Sequence, residues 1–398
     1  MGEKARAGRN KTIYLTEEEE KRYLASCLTG AELAGMLAGS CEAAPAVVEA
    51  RAAEVNPAHV ATSAQAQAAE AAQAAADDAP VEASAAFAAA SASSAPAPAL
   101  AASAPHPFAN RIVLGDNMAV LDMLPHRFAD LLIADPPYNL DKTYGAGKFR
   151  KMEGADYEAY TRRWIEKVRH TLKDTASIYI CCDWRSSLII GSLLSDYFLV
   201  RNRITWQREK GRGAVANWKN SMEDVWFATC SKEYTFDVDA VKQRRLVRAP
   251  YREGGKPKGW QDTEQGRFRD TYPSNFWDDI SIPYWSMPEN TGHPAQKPEK
   301  LFAKLILAST EENGFVLDPF AGTGASAVAA KKLNRRYLGI EIDPGYCALA
   351  ARRLEMADAD RTIQGYADGV FWERNTSQGQ QKSRRAQASR GAPGDLFV

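Results

Sequence analysis

The sequence is poor in the residues that bind metals or form disulfides. Its 398 residues include six cysteines and five histidines. The cysteines are Cys27, Cys41, Cys181, Cys182, Cys230 and Cys347, and none forms a CxxC pair. This argues against a disulfide framework or a zinc site and for a reducing cytoplasm. The histidines (His59, His106, His126, His170 and His293) form no HxxxH-type pair, so no metal is expected. No run of about 18 apolar residues occurs, so no membrane span is expected. No apolar stretch follows the basic first residues, as a secretory signal would require. Charge of one sign is not in excess either, since 50 Lys and Arg balance 50 Asp and Glu. That balance excludes a uniformly basic, histone-like protein. It does not exclude nucleic acid, because opposite charges can sit in different segments.

Large side chains are nearly missing from residues 43–104, where 31 of 62 positions are Ala. Such a stretch buries too little apolar area to offset its ordering entropy, so residues 43–107 read as a flexible linker. The residues before it, 1–42, read as a helical extension. Thr16 precedes a run of Glu, as an N-cap does, and Tyr23, Leu24, Cys27 and Leu28 supply a small apolar face. That face is expected to dock on the main body. Residues 375–398 are polar and read as a disordered tail.

Residues 108–374 remain as the globular body. Apolar strand-like runs occur at 111–115, 130–134, 176–182, 198–206, 224–229, 315–318 and 336–341. Helical periodicity appears between several of them, as with Tyr157, Tyr160, Trp164, Val168 and Leu172. Strands alternating with helices predict an α/β fold, a Rossmann-like, mainly parallel, doubly wound sheet. The runs 198–206 and 224–229 lack a helix between them and predict an antiparallel hairpin at one edge. Residues 237–290 show no clear period and read as an insertion. Segment 242–269 carries nine basic residues against three acidic, and loop 142–151 carries four against none. Both are candidate contacts for a polyanion.

Two constellations carry chemistry. In the first, strand 315–318 runs into Asp318, Pro319, Phe320, Ala321, Gly322, Thr323 and Gly324, and a helix follows. The glycines let a ligand approach the backbone, and the helix N-terminus offers free N–H groups. Strand 336–341 then ends in Glu341, where βαβ nucleotide sites bind ribose hydroxyls. The loop lacks both the GxGxxG pattern and a Lys, so it fits neither a dinucleotide site nor a P-loop. In the second, strand 130–134 runs into Asp135, Pro136, Pro137 and Tyr138. The prolines stop the strand and fix the backbone. The Asp135 carboxylate and the Pro136 carbonyl are then two acceptors beside an aromatic plane, which suits a planar amino group.

With these motifs the chain resembles the S-adenosylmethionine-dependent amino-methyltransferases of DNA. D-P-P-Y at 135–138 precedes F-x-G-x-G at 320–324, the permuted order of that family's β group. The resemblance spans 108–374. It implies that Asp135, Pro136, Pro137 and Tyr138 act at the target amino group. It implies a cofactor site of Asp116, Asp135, His293, Gln296, Lys297, Asp318, Phe320, Ala321, Gly322, Thr323, Gly324, Glu341, Ile342 and Asp343. Residues 293–298 resemble the family's H-P-T-Q-K-P element, with Ala295 replacing the usual Thr. The resemblance implies a flipped base in double-stranded DNA and makes segment 237–290 the target-recognition insertion. Lys142, Lys148, Arg150 and Lys151 would close over the DNA, and Arg244, Arg245, Arg248, Arg252 and Lys256 would read its groove. D-P-P-Y favours adenine N6 over cytosine N4. A protein-glutamine methylase would carry Asn in place of Asp135. A non-catalytic DNA-binding subunit would not need both motifs intact, and a cytosine-C5 enzyme would need a Pro-Cys dipeptide, so Cys181 and Cys182 read as core. A cognate restriction endonuclease and a homodimer are partners that the resemblance leaves open. The terminal Asp395, Leu396, Phe397 and Val398 resemble peptides that dock on the replication clamp, though Gln387 lies too far upstream. The expected location is the cytoplasmic nucleoid.

Overall fold

The computed structural model describes residues 10–41, 106–144, 147–208, 216–247, 252–254, 256–257, 259–263 and 266–374. The Ala-rich linker, apart from its last two residues, and the tail with its clamp-like terminus lie outside these. Residues 1–41 and 107–398 make one unit; of the second, 42–106, only His106 is described.

The chain opens with helix α1 (Glu17–Leu24), strand β1 (Leu28–Thr29) and helix α2 (Gly30–Cys41). Thr16 caps α1 as its sequence predicts, in a reciprocal capping box with Glu19. Thr29 and Glu32 repeat the arrangement at α2. The body continues through β2 (Arg111–Leu114), α3 (Asn117–Met123), β3 (Ala129–Ala134), a small hairpin of β4 (Lys142–Tyr144) and β5 (Gly147–Phe149), α4 (Gly154–Arg169), β6 (Leu172–Cys182), α5 (Ser186–Tyr197), β7 (Leu199–Gln207) and β8 (Met222–Thr229). Short strands β9 (Gln243–Leu246), β10 (Arg252–Glu253), β11 (Lys256–Pro257), β12 (Gln261–Thr263), β13 (Gly266–Thr271) and β14 (Phe276–Trp277) fill the insertion. Then come α6 (Glu299–Ser309), β15 (Phe315–Asp318), α7 (Ala325–Lys332), β16 (Arg336–Glu341), α8 (Pro344–Ala359), β17 (Tyr366–Ala367) and β18 (Val370–Trp372).

The main sheet has nine strands in the order β1-β2-β16-β15-β3-β6-β8-β7-β14, and only β8 runs against the rest. Successive strand residues face opposite layers. Leu132, Ala134, Ile178, Ile180 and Cys182 pack under α2–α5, while Leu131, Ile133, Tyr179 and Cys181 pack under α6–α8. Cys181 and Cys182 are therefore both core, on opposite faces, as expected.

The predicted hairpin β7–β8 forms, with one refinement. Phe276–Trp277 pairs in parallel outside β7, so the hairpin is not the rim. At the other rim, β1 of the N-terminal extension pairs in parallel with β2. Short rims of this kind leave little backbone exposed for unwanted pairing. The insertion is also less separate than its sequence suggests. Its sheet, β12-β13-β9-β18-β17, is completed by residues 366–372 from the far end of the body.

Candidate active site

From β15 the chain winds outward to β16, and from β3 it winds the opposite way to β6, although β15 and β3 are neighbours. That reversal splays the connections apart and opens a crevice at the carboxyl ends of the two strands. Both motifs leave the sheet there. A cavity of about 780 Å³ lies above them, lined by Asp116, Asp135–Tyr138, Lys142, His293, Gln296, Lys297, Asp318, Phe320–Thr323 and Glu341–Asp343 among others.

The Gly-rich loop is braced by carboxylates. Asp318, which is buried, accepts from the Phe320 N–H at 2.9 Å and from the Ser326 hydroxyl. Burial pushes its carboxyl up to about 7. Glu341 accepts from the Gly322 N–H at 2.8 Å and from the Ile342 and Asp343 N–H groups. Burial raises its pKa against those hydrogen bonds. Gly324 caps α7 in the left-handed region (φ 74°), where a Cβ would stand 2.8 Å from that of Ala350. Underneath, Arg353 donates to the Thr323 carbonyl at 2.7 Å and pairs with Glu299. His293 is held neutral, its pKa lowered to about 4 by burial and by the nearby charges of Lys142 and Lys297.

At the other motif, Tyr157 donates to the Pro137 carbonyl, and Asn139 makes two hydrogen bonds with the Met152 backbone. No described residue donates to the Pro136 carbonyl. The Asp135 carboxylate accepts from the Tyr138 hydroxyl at 3.0 Å, and the Lys297 ammonium lies 2.8 Å from each of its oxygens. Lys297 also lies 3.3 Å from Glu223, which pairs with Arg208. Burial alone would lower the Lys297 pKa, but the Asp135 and Glu223 carboxylates hold it above its ordinary value.

A "DNA methylase" family model matches residues 129–352. The type II methyltransferase M.HpaI of Haemophilus parainfluenzae is 31% identical over 62% of this chain and 74% of its own. The DNA adenine methyltransferase YhdJ of Escherichia coli is 31% identical over 63% of this chain and 84% of its own. The chain belongs to the DNA methylase family. Among solved structures, the cytosine-N4-specific PvuII DNA methyltransferase overlays at a TM-score of 0.48 with 17% identity, covering 61% of this chain and 85% of that one.

The site of this methylase gathers most of the residues singled out from the sequence, and several do work other than that expected. Asp116 lines the cavity but also caps α3, accepting from the Met118 and Ala119 N–H groups. Gln296 spends its amide on its own loop, accepting from Thr291 and donating to the Glu289 carbonyl. Lys297 sits on Asp135, at the amino-group end of the site. Ile342 lines the cavity with a largely exposed side chain.

The basic residues divide differently. Lys142 lines the cavity, and Arg150, Lys151 and Arg252 are exposed. Arg244 and Arg245 already have carboxylate partners within the protein. Arg244 makes a two-pronged pair with Asp270 across β9 and β13, and Arg245 faces Asp278 and Glu373. A guanidinium in the middle of a small sheet is placed to satisfy neighbouring carboxylates. Arg248 and the side chains of Lys148 and Lys256 lie outside the described residues. Glu223, Arg208 and Asp183 line the cavity and were not singled out from the sequence. Strand β8 carries Glu223 and Asp224, both buried, in an otherwise apolar run. That interruption was the available signal.

Proposed function

We propose that this methylase transfers the methyl group of S-adenosylmethionine to the N6 amino group of adenine in double-stranded DNA. The observation that carries the reading is the position of Asp135. It stands at the winding reversal, in one cavity with the Gly322–Gly324 loop, beside a Pro136 carbonyl to which no described residue donates.

The residues present fit the cofactor. A cavity of about 780 Å³ is within the usual range for a small-molecule site. Its lining includes the carboxylates of Asp116, Asp183, Glu341 and Asp343, which suit a ligand carrying positive charge. Gly322 keeps the loop open to close approach, and Glu341 and Asp343 would hold ribose. Bound S-adenosylmethionine supplies an electrophilic methyl group on a sulfonium.

An exocyclic amino nitrogen is a poor nucleophile because its lone pair is delocalised into the ring. Asp135 and the Pro136 carbonyl would accept its two hydrogens, localise that pair and stabilise the positive charge that grows on nitrogen. The base has to leave the helix to reach them. One face of the Tyr138 ring meets Lys297 at 5.0 Å, and the ring supplies a plane for the flipped base. The preference for adenine is supported by the D-P-P-Y letters and by YhdJ, a relative named as an adenine methyltransferase. Acting on DNA would put the protein at the nucleoid. No described helix is long and apolar enough to cross a membrane.

The test is mass spectrometry of nucleosides from unmethylated duplex DNA incubated with the protein and S-adenosylmethionine, beside Asp135→Ala. N6-methyladenine with the wild type alone is expected. N4-methylcytosine would overturn the base assignment, and the absence of any methylated base would overturn the reaction.

A further inference from the structure

Two donors bridge the same two carboxylates beneath the reacting position. The Tyr138 hydroxyl lies 3.0 Å from Asp135 Oδ1 and 3.2 Å from Glu223 Oε2. The Lys297 ammonium lies 2.8 Å from both Asp135 oxygens and 3.3 Å from Glu223 Oε2. Beyond Glu223, on its other oxygen, is Arg208, whose side chain is 35% exposed against 5% for Glu223. The groups thus alternate in charge along the cavity wall, from Asp135 through Lys297 and Glu223 to the more exposed Arg208. Lys142, Cys181 and Cys182 are the other titratable groups close enough to feel Glu223.

The arrangement also limits what Asp135 can accept. Each carboxylate oxygen has two lone pairs. The Tyr138 hydroxyl has a single hydrogen; when it points to Glu223, Oδ1 and Oδ2 each spend one pair on Lys297. The lone pair on Oδ1 beside the Tyr138 oxygen is then free for a hydrogen of the target amino group.

We propose that Glu223 receives the proton that the reaction releases, passed from Asp135 through the Tyr138 hydroxyl. This rests on the methyl transfer proposed above. When nitrogen forms its bond to the methyl carbon, the pair of the broken carbon–sulfur bond stays on sulfur, and nitrogen is left with a positive charge. As that charge develops one N–H bond breaks, its pair returns to nitrogen, and the proton goes to Asp135 Oδ1, the oxygen that faces Tyr138. Tyr138 takes that proton and gives its own to Glu223 in the same motion. Asp135 is restored as a carboxylate, and Glu223 becomes a carboxylic acid beside Arg208. The phenol need never ionise, which suits a hydroxyl whose pKa is raised well above its ordinary value by burial and by the Asp135 and Glu223 carboxylates. Glu223 touches no reacting atom; it is a positioning residue that also drains the proton. It is needed because a flipped base would seal Asp135, only 19% exposed as it stands, from water.

The experiment compares the wild type, Glu223→Gln and Glu223→Asp on unmethylated duplex DNA in single turnover. Methylated base is followed by rapid quench and released protons by an indicator dye, and S-adenosylmethionine and DNA binding are measured by equilibrium titration. In the wild type, proton release should keep pace with methylation. In Glu223→Gln, methylation should slow about 10²-fold, the scale of one positioned acid or base. Proton release should lag until the DNA leaves, with both affinities nearly unchanged. Glu223→Asp should recover most of the rate. Wild-type rate and proton timing in Glu223→Gln would overturn the inference. So would equal losses in Gln and Asp with proton timing unchanged, which would make Glu223 structural. A wild type that binds DNA but forms no methylated base would overturn the proposed reaction itself.

Discussion

At the residue scale, the site depends on carboxylates whose surroundings set their charge. No described cation lies against Asp318; its partners are the Phe320 N–H and the Ser326 hydroxyl. Its pKa of about 7 lies above the unfolded carboxylate value, so the folded protein holds an extra proton between roughly pH 4 and 7. Stability from this group is present below that window and lost as pH rises through about 7. His293 works in the opposite direction. Its folded pKa of about 4 lies below the unfolded value of about 6.5, so its contribution is lost as pH falls through that interval. Asp318→Asn should therefore flatten the decline in melting temperature between pH 5 and 8 and leave the acid limb in place. Thermal melts across pH for the two proteins check this, and an unchanged slope would refute it. These assignments show how far the sequence could be read. It identified Asp318 by its place at a strand end. Whether that carboxyl binds a ligand or braces its own loop depends on Ser326, the second residue of the next helix, and on how much water remains.

At the element scale, the cofactor loop is tied to the helix behind it. Gly324 turns the chain into α7 with a positive φ, and its missing side chain is where Ala350 of α8 packs. Gly324→Ala meets two costs. The left-handed backbone costs about 1–2 kcal/mol for a residue with a Cβ. The contact with Ala350, 2.8 Å away, adds overpacking of about 1–3 kcal/mol. The variant should melt lower and bind S-adenosylmethionine at least tenfold more weakly, by calorimetric titration. Binding at wild-type strength would show that the loop tolerates the shift. The helices themselves were legible: the apolar face of α4 emerges as buried Tyr157, Trp164 and Val168. Strands β14, β17 and β18 were not, since strands of two or three residues leave no periodic signal.

At the scale of the whole molecule, the N-terminal extension is part of the fold. It adds β1 to the sheet, buries Tyr23, Leu28 and Leu33, and joins α8 through Arg22 and Tyr23 to Glu355. Each buried large side chain is worth roughly 1.5–3 kcal/mol. Removing residues 1–41 should lower the melting temperature by about 5 °C or more and leave β2 as a bare edge prone to pairing between molecules. Differential scanning fluorimetry and light scattering read both effects. An equally stable, monodisperse truncated protein would make the extension dispensable.

The sequence by itself determined the alternating α/β plan, the two strand-end motifs, their permuted order and the chemistry they imply. Each is written in contiguous residues, where a strand, a turn and a cap follow from local pattern. The tertiary structure decided which groups share a proton or a charge. Lys297 reaches Asp135 across 162 positions, and Tyr138 reaches Glu223 across 85. Arg244 and Arg245, basic on paper, are neutralised by Asp270, Asp278 and Glu373. Such pairings depend on strand order and packing rather than on spacing along the chain. A buried charge must find a partner in the space around it, and only the folded sheet fixes which partner is near.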